Sequence, residues 1–169
     1  MRKQNIASIS AAIALALAAG GAQAATKTDT FTVNASVAKN CLVDTTDLNF
    51  AAYDGTALVD ATSTVSAKCT KGTSFAFSLD GGTTSGGTIA QRLLDGATTA
   101  DTLQYNLYTD ASRSTLWGDG TTGVTVSDTG TGMANWIAKT VYGRIPDNAT
   151  NQAAAPDDYS DVITVTVSY

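Results

Sequence analysis

Apolar and polar residues alternate through much of the chain beyond its first two dozen positions. This pattern predicts strands rather than helices. In the stretch Thr30–Val37, Phe31, Val33, Ala35 and Val37 share one face, and Thr30, Thr32, Asn34 and Ser36 share the other. Cys41–Phe50 follows, interrupted by Asp44-Thr45-Thr46-Asp47, and Ala61–Cys69 is a weaker candidate with Val65 and Ala67. In Ser74–Leu79, Phe75, Phe77 and Leu79 alternate with Ala76 and Ser78 until Asp80-Gly81-Gly82 stops the run. Ile89–Leu94 is ambiguous. Leu103–Tyr108, Ser114–Trp117, Val124–Val126 and Trp136–Ile145 are further candidates, separated by Gly, Asp, Asn and Pro turns. Val162–Tyr169 alternates most cleanly of all and does so to Tyr169 itself. Asn148–Asp158 is polar, Ala-rich and short enough to be a loop. Many short strands with turn chemistry between them predict one all-β domain, a β-sandwich.

The first two dozen residues break this pattern. Arg2 and Lys3 precede an apolar stretch, Ile6–Ala19, and then Gly20-Gly21-Ala22-Gln23-Ala24. A positive start, a short apolar run and small residues at Ala22 and Ala24 predict a secretory signal peptide over 1–24, cut after Ala24. The run is too short to span a bilayer. Cleavage leaves 145 of the 169 residues, one domain's worth. Losing Arg2 and Lys3 takes the formal net charge from −5 to −7, and every acid in the chain is Asp. Such a surface repels phosphate backbones and argues against nucleic acid as a partner. Export also changes how Cys41 and Cys69 are read. An even pair in an oxidising compartment predicts a disulfide, closing a loop of about 28 residues.

Candidate chemistry is sparse. With no His in the chain, there is no imidazole to act as a base or hold a metal, and two Cys alone make a poor metal set. No nucleophile elbow, Walker loop or dinucleotide fingerprint is present. Asp157 and Asp158 form a carboxylate pair, but adjacent Asp beside Pro156 are expected simply to face solvent. Gly118-Asp119-Gly120 has no ladder of oxygen ligands after it. The expectation is a protein with no catalytic residues, cofactor or metal.

The patterned ends carry more meaning. Phe31–Val37 lies a few residues after the expected cut, and Val162–Tyr169 closes the chain. From the pattern alone two readings stand: both segments are ordinary strands of a complete sandwich, or the sandwich lacks a strand and borrows one from a neighbour. An open edge of the second kind must be covered or it aggregates. Strand addition would satisfy its backbone groups and place alternate side chains in the core.

Several stretches resemble the spore coat protein U-type domain, and within it the major subunits of Csu-type, archaic chaperone–usher pili. They are Lys68–Thr73, Phe75–Gly82, Leu103–Trp117 with its Tyr-Asn-Leu-Tyr, Asp-Ala, Arg and Leu-Trp series, Val141–Pro146 with Tyr-Gly-Arg-Ile-Pro, and Asp158–Tyr169. The resemblance implies an incomplete immunoglobulin-like sandwich completed by donor-strand complementation. It divides the chain into the leader 1–24, a donor-strand extension 25–38 and a pilin domain 39–169. It implies Phe31, Val33, Ala35 and Val37 as donor side chains, and Ile163, Val165, Val167 and Tyr169 as the set bordering the acceptor groove. Cys41 and Cys69 match the family's early disulfide. Implied partners are identical subunits, a periplasmic chaperone, an outer-membrane usher and tip or minor pilins, in a surface pilus serving adhesion and biofilm formation. Rival readings are a stand-alone secreted coat protein with a complete sandwich and a carbohydrate-binding adhesin module. Neither the surface bound nor the burial of Trp117 and Trp136 is fixed by the sequence.

Overall fold

The computed structural model describes residues 24–169, so the expected leader lies outside the described residues except for Ala24. The chain divides into two compact units, residues 1–35 and 36–169. In the first, residues 24–35 are exposed and carry no strand. The strand predicted over Thr30–Val37 is therefore absent from the chain alone. A lone extended segment has no ladder to join, and its backbone stays with water.

The second unit is all-β apart from one helical turn. Its strands are β1 (Cys41–Thr45), β2 (Val59–Cys69), β3 (Ser74–Leu79), β4 (Arg92–Gly96), β5 (Thr102–Tyr108), β6 (Val126–Thr129), β7 (Ile137–Ile145), β8 (Tyr159–Ser160) and β9 (Val165–Ser168). A six-stranded sheet runs β1-β2-β7-β5-β4-β8 and a three-stranded sheet runs β6-β3-β9, all pairs antiparallel. β2 is the longest because it is paired along both edges, Cys41 opposite Cys69 on one side and Val59 opposite Ile145 on the other. The turn α1 (Ala149–Gln152) forms where a loop was expected. Its start is set by Asn148, whose side chain accepts from the Asn151 amide.

The sheets pack face to face. Val65, Ala67, Cys69, Tyr105, Leu107, Val141 and Ile145 of the large sheet meet Phe75, Phe77 and Leu79 of the small one, with Trp117 fully buried between them. Trp117 stands edge-on to Phe77, ring centroids 6.4 Å apart, and its indole N–H donates to the Phe77 carbonyl at 3.3 Å. Trp136 is 46 % exposed, with Lys68 Nζ 4.6 Å from its ring centroid. The Ser114–Trp117 strand reduces to isolated bridges from Leu116 to Tyr108 and from Trp117 to Val124. The preceding turn, with Arg113 in the left-handed region at φ 56°, leaves no length for a ladder. The Cys41–Cys69 disulfide is formed and joins two directly paired positions of β1 and β2.

A charged residue ties the layers together. Arg92, on β4, is completely buried. Its guanidinium donates to the Asp80 carbonyl at 2.9 and 2.7 Å, the Trp117 carbonyl at 2.9 Å and Asn106 Oδ1 at 3.0 Å. Burial pulls its pKa down from 12.5, against the pull of Tyr105, Asp80 and Asp161, yet an arginine in a protein keeps its proton. The fork thus links β4 to the end of β3, to the Trp117 loop and to β5. Arg92→Met keeps much of the volume but strands two buried carbonyls. We expect it to destabilise the domain by roughly 3 kcal/mol in urea unfolding. An unchanged midpoint would remove Arg92 from this role.

Candidate assembly surface

Strand order sets the site. β9 pairs with β3 on one side, and its other edge has no neighbour among the described residues. Phe77 faces Val167 and Leu79 faces Val165 in register, so these valines point into the sandwich. Ile163, Val165 and Val167 are partly buried and pack on the core. Tyr169 lies one residue past β9 and is 57 % exposed. The last strand is thus shorter than the predicted Val162–Tyr169. Before Val165 the pairing ends at Thr164, whose carbonyl accepts from the Asp80 amide at 3.3 Å and whose N–H donates to Asp80 Oδ1 at 3.0 Å, and Val162 is 64 % exposed.

The facing wall comes from the second half of the Cys41–Phe50 candidate. The chain leaves β2 after Thr46, whose amide donates to the Thr64 carbonyl at 3.0 Å. Among the described residues, no backbone–backbone hydrogen bond is made by residues 47–53. Leu48 and Phe50 nevertheless pack inward, and Phe50 meets Tyr105 edge-on at 6.2 Å. Gly143 makes room for them: a Cβ there would come within 2.9 Å of both Leu48 Cδ1 and Phe50 Cζ. Between residues 47–55 and residues 154–161, which lead toward β9, lies an open cleft of about 710 Å³ floored by Leu94, Leu103 and Ile145. The wall at residues 47–53 is unpaired backbone, the other includes β8 paired with β4, and the floor is apolar.

Of the expected donor side chains, Phe31, Val33 and Val37 are 88, 81 and 88 % exposed, and Ala35 is exposed as well. Apolar side chains so exposed have little packed against them among the described residues.

Residues that could suggest chemistry serve structure instead. Asp157 accepts from the amides of Thr98 and Thr99, both at 2.8 Å. Asp119 accepts from the Thr121 and Thr122 amides at 2.8 Å each, closing a turn. Asp110 gathers the Ser112 hydroxyl and the Ser114 and Thr115 amides, and Asp60 receives Arg144 Nε at 2.7 Å and Arg113 Nε at 3.1 Å. Asp161 accepts from the Tyr105 hydroxyl at 2.7 Å and from the Thr83 and Thr84 amides at 2.8 and 3.0 Å. Burial pushes its pKa up, but the Tyr105 hydroxyl and the two amides prevail and hold it below its ordinary 3.8. Burial and the same bond push Tyr105 above 10.0, keeping the phenol a donor. Arg92, Asp161 and the unpaired stretch 47–53 did not stand out in the sequence. A cation inside the ambiguous Ile89–Leu94 neighbourhood was the one available signal.

An antiparallel two-sheet sandwich whose small sheet has only three strands, with no strand beyond β9 among the described residues, is an incomplete immunoglobulin-like fold. Residues 27–166 match the Spore Coat Protein U domain, and the chain belongs to that family. Its fold is similar to a chain in the crystal structure of the CsuC–CsuE chaperone–tip adhesion subunit pre-assembly complex from archaic chaperone–usher Csu pili of Acinetobacter baumannii, at 19 % identity and TM-score 0.57. That similarity covers 79 % of this chain and 41 % of the other, so this chain spans about two-fifths of that one's length. No curated protein matches the sequence.

The carboxylates carry a pH dependence. A depressed pKa such as that of Asp161 gives stability that is complete above the ordinary 3.8 and lost as pH falls through the lower folded value. Asp60 and Asp128 are also depressed, by their Arg144 and Lys139 partners, and add in the same sense. Urea midpoints are expected to hold steady down to about pH 5 and to fall below about pH 4. Asp161→Asn should lower stability by about 1–3 kcal/mol at pH 7 and flatten the acid limb. A variant with an unchanged limb would contradict this account of Asp161.

Proposed function

We propose that this chain is a structural subunit of a surface pilus built by the chaperone–usher route. Residues 25–38 would serve as the donor strand for the next copy, and residues 39–169 as the pilin domain. Phe31, Val33, Ala35 and Val37 enter the neighbour's groove beside Ile163, Val165, Val167 and Tyr169. The observations that carry this reading lie within one chain: an unpaired β9 edge, whose approach at Asp158–Asp161 lines an apolar-floored cleft, and an unpaired segment exposing alternate apolar residues. Membership of the Spore Coat Protein U family, whose match begins at residue 27 and so includes the donor segment, supports it. So does a fold shared with a complex named for a pilus chaperone and tip subunit.

The energetics suit a strand that moves between partners. Burying Phe31, Val33 and Val37 contributes on the order of 5–9 kcal/mol. Each ladder hydrogen bond adds about 1 kcal/mol net. Association costs several kcal/mol in return, so persistence rests on kinetics: a strand inside a sandwich leaves when the sandwich opens. A periplasmic chaperone lends a strand to the same edge until the usher brings the next subunit. Exchange of one strand for another needs no ATP. The role is structural, with no reaction to catalyse and no cofactor. The path is export behind the leader 1–24, then display on the cell surface among like subunits and tip or minor pilins, in support of adhesion and biofilm formation.

Deleting residues 25–37 should leave a subunit that accepts a donor strand but cannot give one, seen as a chaperone-bound monomer without fibres in electron microscopy of sheared surface material. Long fibres from that deletion alone would overturn the donor assignment. Val165→Asp places a carboxylate in the dry groove and should abolish chaperone capture and fibre formation, because an unpaired buried charge is costly. A normal periplasmic yield and pilus number would refute the groove. A stable wild-type monomer that completes its sandwich with its own leading segment would favour the stand-alone coat reading.

A further inference from the structure

We propose a second interface between copies: the lysine-bearing end of one pilin domain, Lys39, Lys68 and Lys71, docks on the aspartate-bearing end of the next, around Asp54 and Asp158. This inference rests on the donor-strand reading above and adds to it a surface outside the groove.

β2 gives the domain its length. Its eleven residues span about 33 Å at 3.3 Å per step. At one end Cys41 pairs with Cys69, and the ladder continues as Thr70 N–H donates to the Asn40 carbonyl at 2.9 Å and Asn40 N–H donates to Thr70 Oγ1 at 3.2 Å. Lys39 precedes Asn40, Lys68 faces Leu42 in register, and Lys71 lies in the turn after β2. The other cations of the domain are committed elsewhere. Arg113 and Arg144 bind Asp60, Lys139 binds Asp128 at 2.7 Å, and Arg92 is buried. Among the described residues, the lysines outside ion pairs are these three and Lys27 of the leading segment.

At the other end Val59 pairs with Ile145, and the cleft opens. Five aspartates line it, including Asp54, Asp157 and Asp158, and no Lys or Arg does. Asp147, which accepts from the Tyr53 hydroxyl at 3.1 Å, stands beside it. Asp54 and Asp158 are both exposed.

Chain connectivity brings the ends of two copies together. Between Val37, the last donor side chain, and Cys41, the first residue of β1, lie three residues, so the two Cα atoms are at most about 14 Å apart. The neighbour whose groove holds Val37 must therefore touch or nearly touch the lysine end. That distance is an upper limit, beyond the screening length of about 8 Å at physiological salt, so the charges act where the three linking residues are less than fully extended. The direction of the donor decides which end is met. β9 starts at the aspartate end, where Val165 faces Leu79, and finishes toward the lysine end, where Ser168 faces Ala76. A donor antiparallel to β9 emerges at the aspartate end and sets three lysines against it. A parallel donor would set lysines on lysines, which opposes docking. The free charges therefore select a head-to-tail order of lysine end on aspartate end.

The test uses the full-length gene and fibres sheared from cells. Lys68→Glu with Lys71→Glu, and separately Asp54→Lys with Asp158→Lys, should each cut fibre yield roughly tenfold, the effect of losing about 1.4 kcal/mol. All four changes in one chain reverse the pairs formed by these four positions, while Lys39 and the remaining cleft aspartates keep their signs, so yield should recover part of the way, clearly above either double variant. Thermal melting of each purified variant checks folding. Independently, a zero-length carbodiimide should join Lys39, Lys68 or Lys71 to Asp54 or Asp158 in wild-type fibres. Ends about 30 Å apart within one copy cannot be joined this way, so such links lie between copies. Normal yield from both double variants, a folded quadruple variant no better than the doubles, or wild-type fibres without these links would each overturn the interface while leaving the donor strand standing. Fibres from the 25–37 deletion, or none from wild type, would overturn the donor reading and the interface with it.

Discussion

A backbone amide or carbonyl removed from water must find a partner, and the edge of β9, whose valines pack on the core, is where this domain leaves that demand open. β9 is satisfied on its β3 side and open on the other. Across the cleft, residues 47–53 lie on the core yet pair with no strand among the described residues. The cleft beside residues 47–53 is floored by Leu94, Leu103 and Ile145 and is lined as far as Asp161, just ahead of β9. In the proposed assembly a strand laid along the open β9 edge would give that edge its missing ladder. It also gives alternate side chains a dry floor. The aggregation hazard of an open edge and the capacity to assemble are the same physical feature.

A sandwich with a seam needs its remaining layers held more firmly than usual. Arg92 supplies one tie by linking β4, β5, the end of β3 and the Trp117 loop through a single planar fork. Asp161 supplies another, joining the approach to β9 with Tyr105 on β5 and the Thr83–Thr84 loop. Both lie at the end of the small sheet where the ladder between β3 and β9 stops. Several stretches singled out by the sequence fall on such positions. Tyr105, the Asp110–Arg113 turn, Trp117, Gly143–Arg144 and Asp161 are all hydrogen-bonding or close-packing positions in this domain.

Period-two alternation located β3, β5, β7 and the core of β9, because each has one face in a dry interior and one facing out. Alternation could not show how far a strand extends, since length depends on neighbours. Ala61–Cys69 looked modest, yet β2 grew longest because β1 and β7 flank it. Val162–Tyr169 alternated most cleanly, yet β9 covers only Val165–Ser168 because β3 ends at Leu79. Arg92 hid β4, since a charge at a core position reads as surface until its carbonyl partners are known. Thr30–Val37 differs in kind. Its alternation is as clean as that of a buried strand, yet residues 24–40 carry none. A pattern that specifies a buried face but finds none in its own chain points to a face elsewhere.

That segment also explains why the disulfide and the free lysines share one end. In a donor-strand fibre, tension between copies passes through residues 38–40 and enters the domain at Cys41. β1 and β2 are antiparallel, and Cys41–Cys69 is the first rung of their register. Outside it lies one further contact, Asn40 with Thr70, so a pull on residues 38–40 would meet a covalent bond after a single pair of hydrogen bonds. In a donor-strand fibre the cystine would hold β1 to β2 at the end where the tether enters. It cross-links a loop of 28 residues, which stabilises the isolated domain by roughly 3.5 kcal/mol on the chain-entropy account. It also fixes the lysine end rigidly to the point where the next copy is tethered.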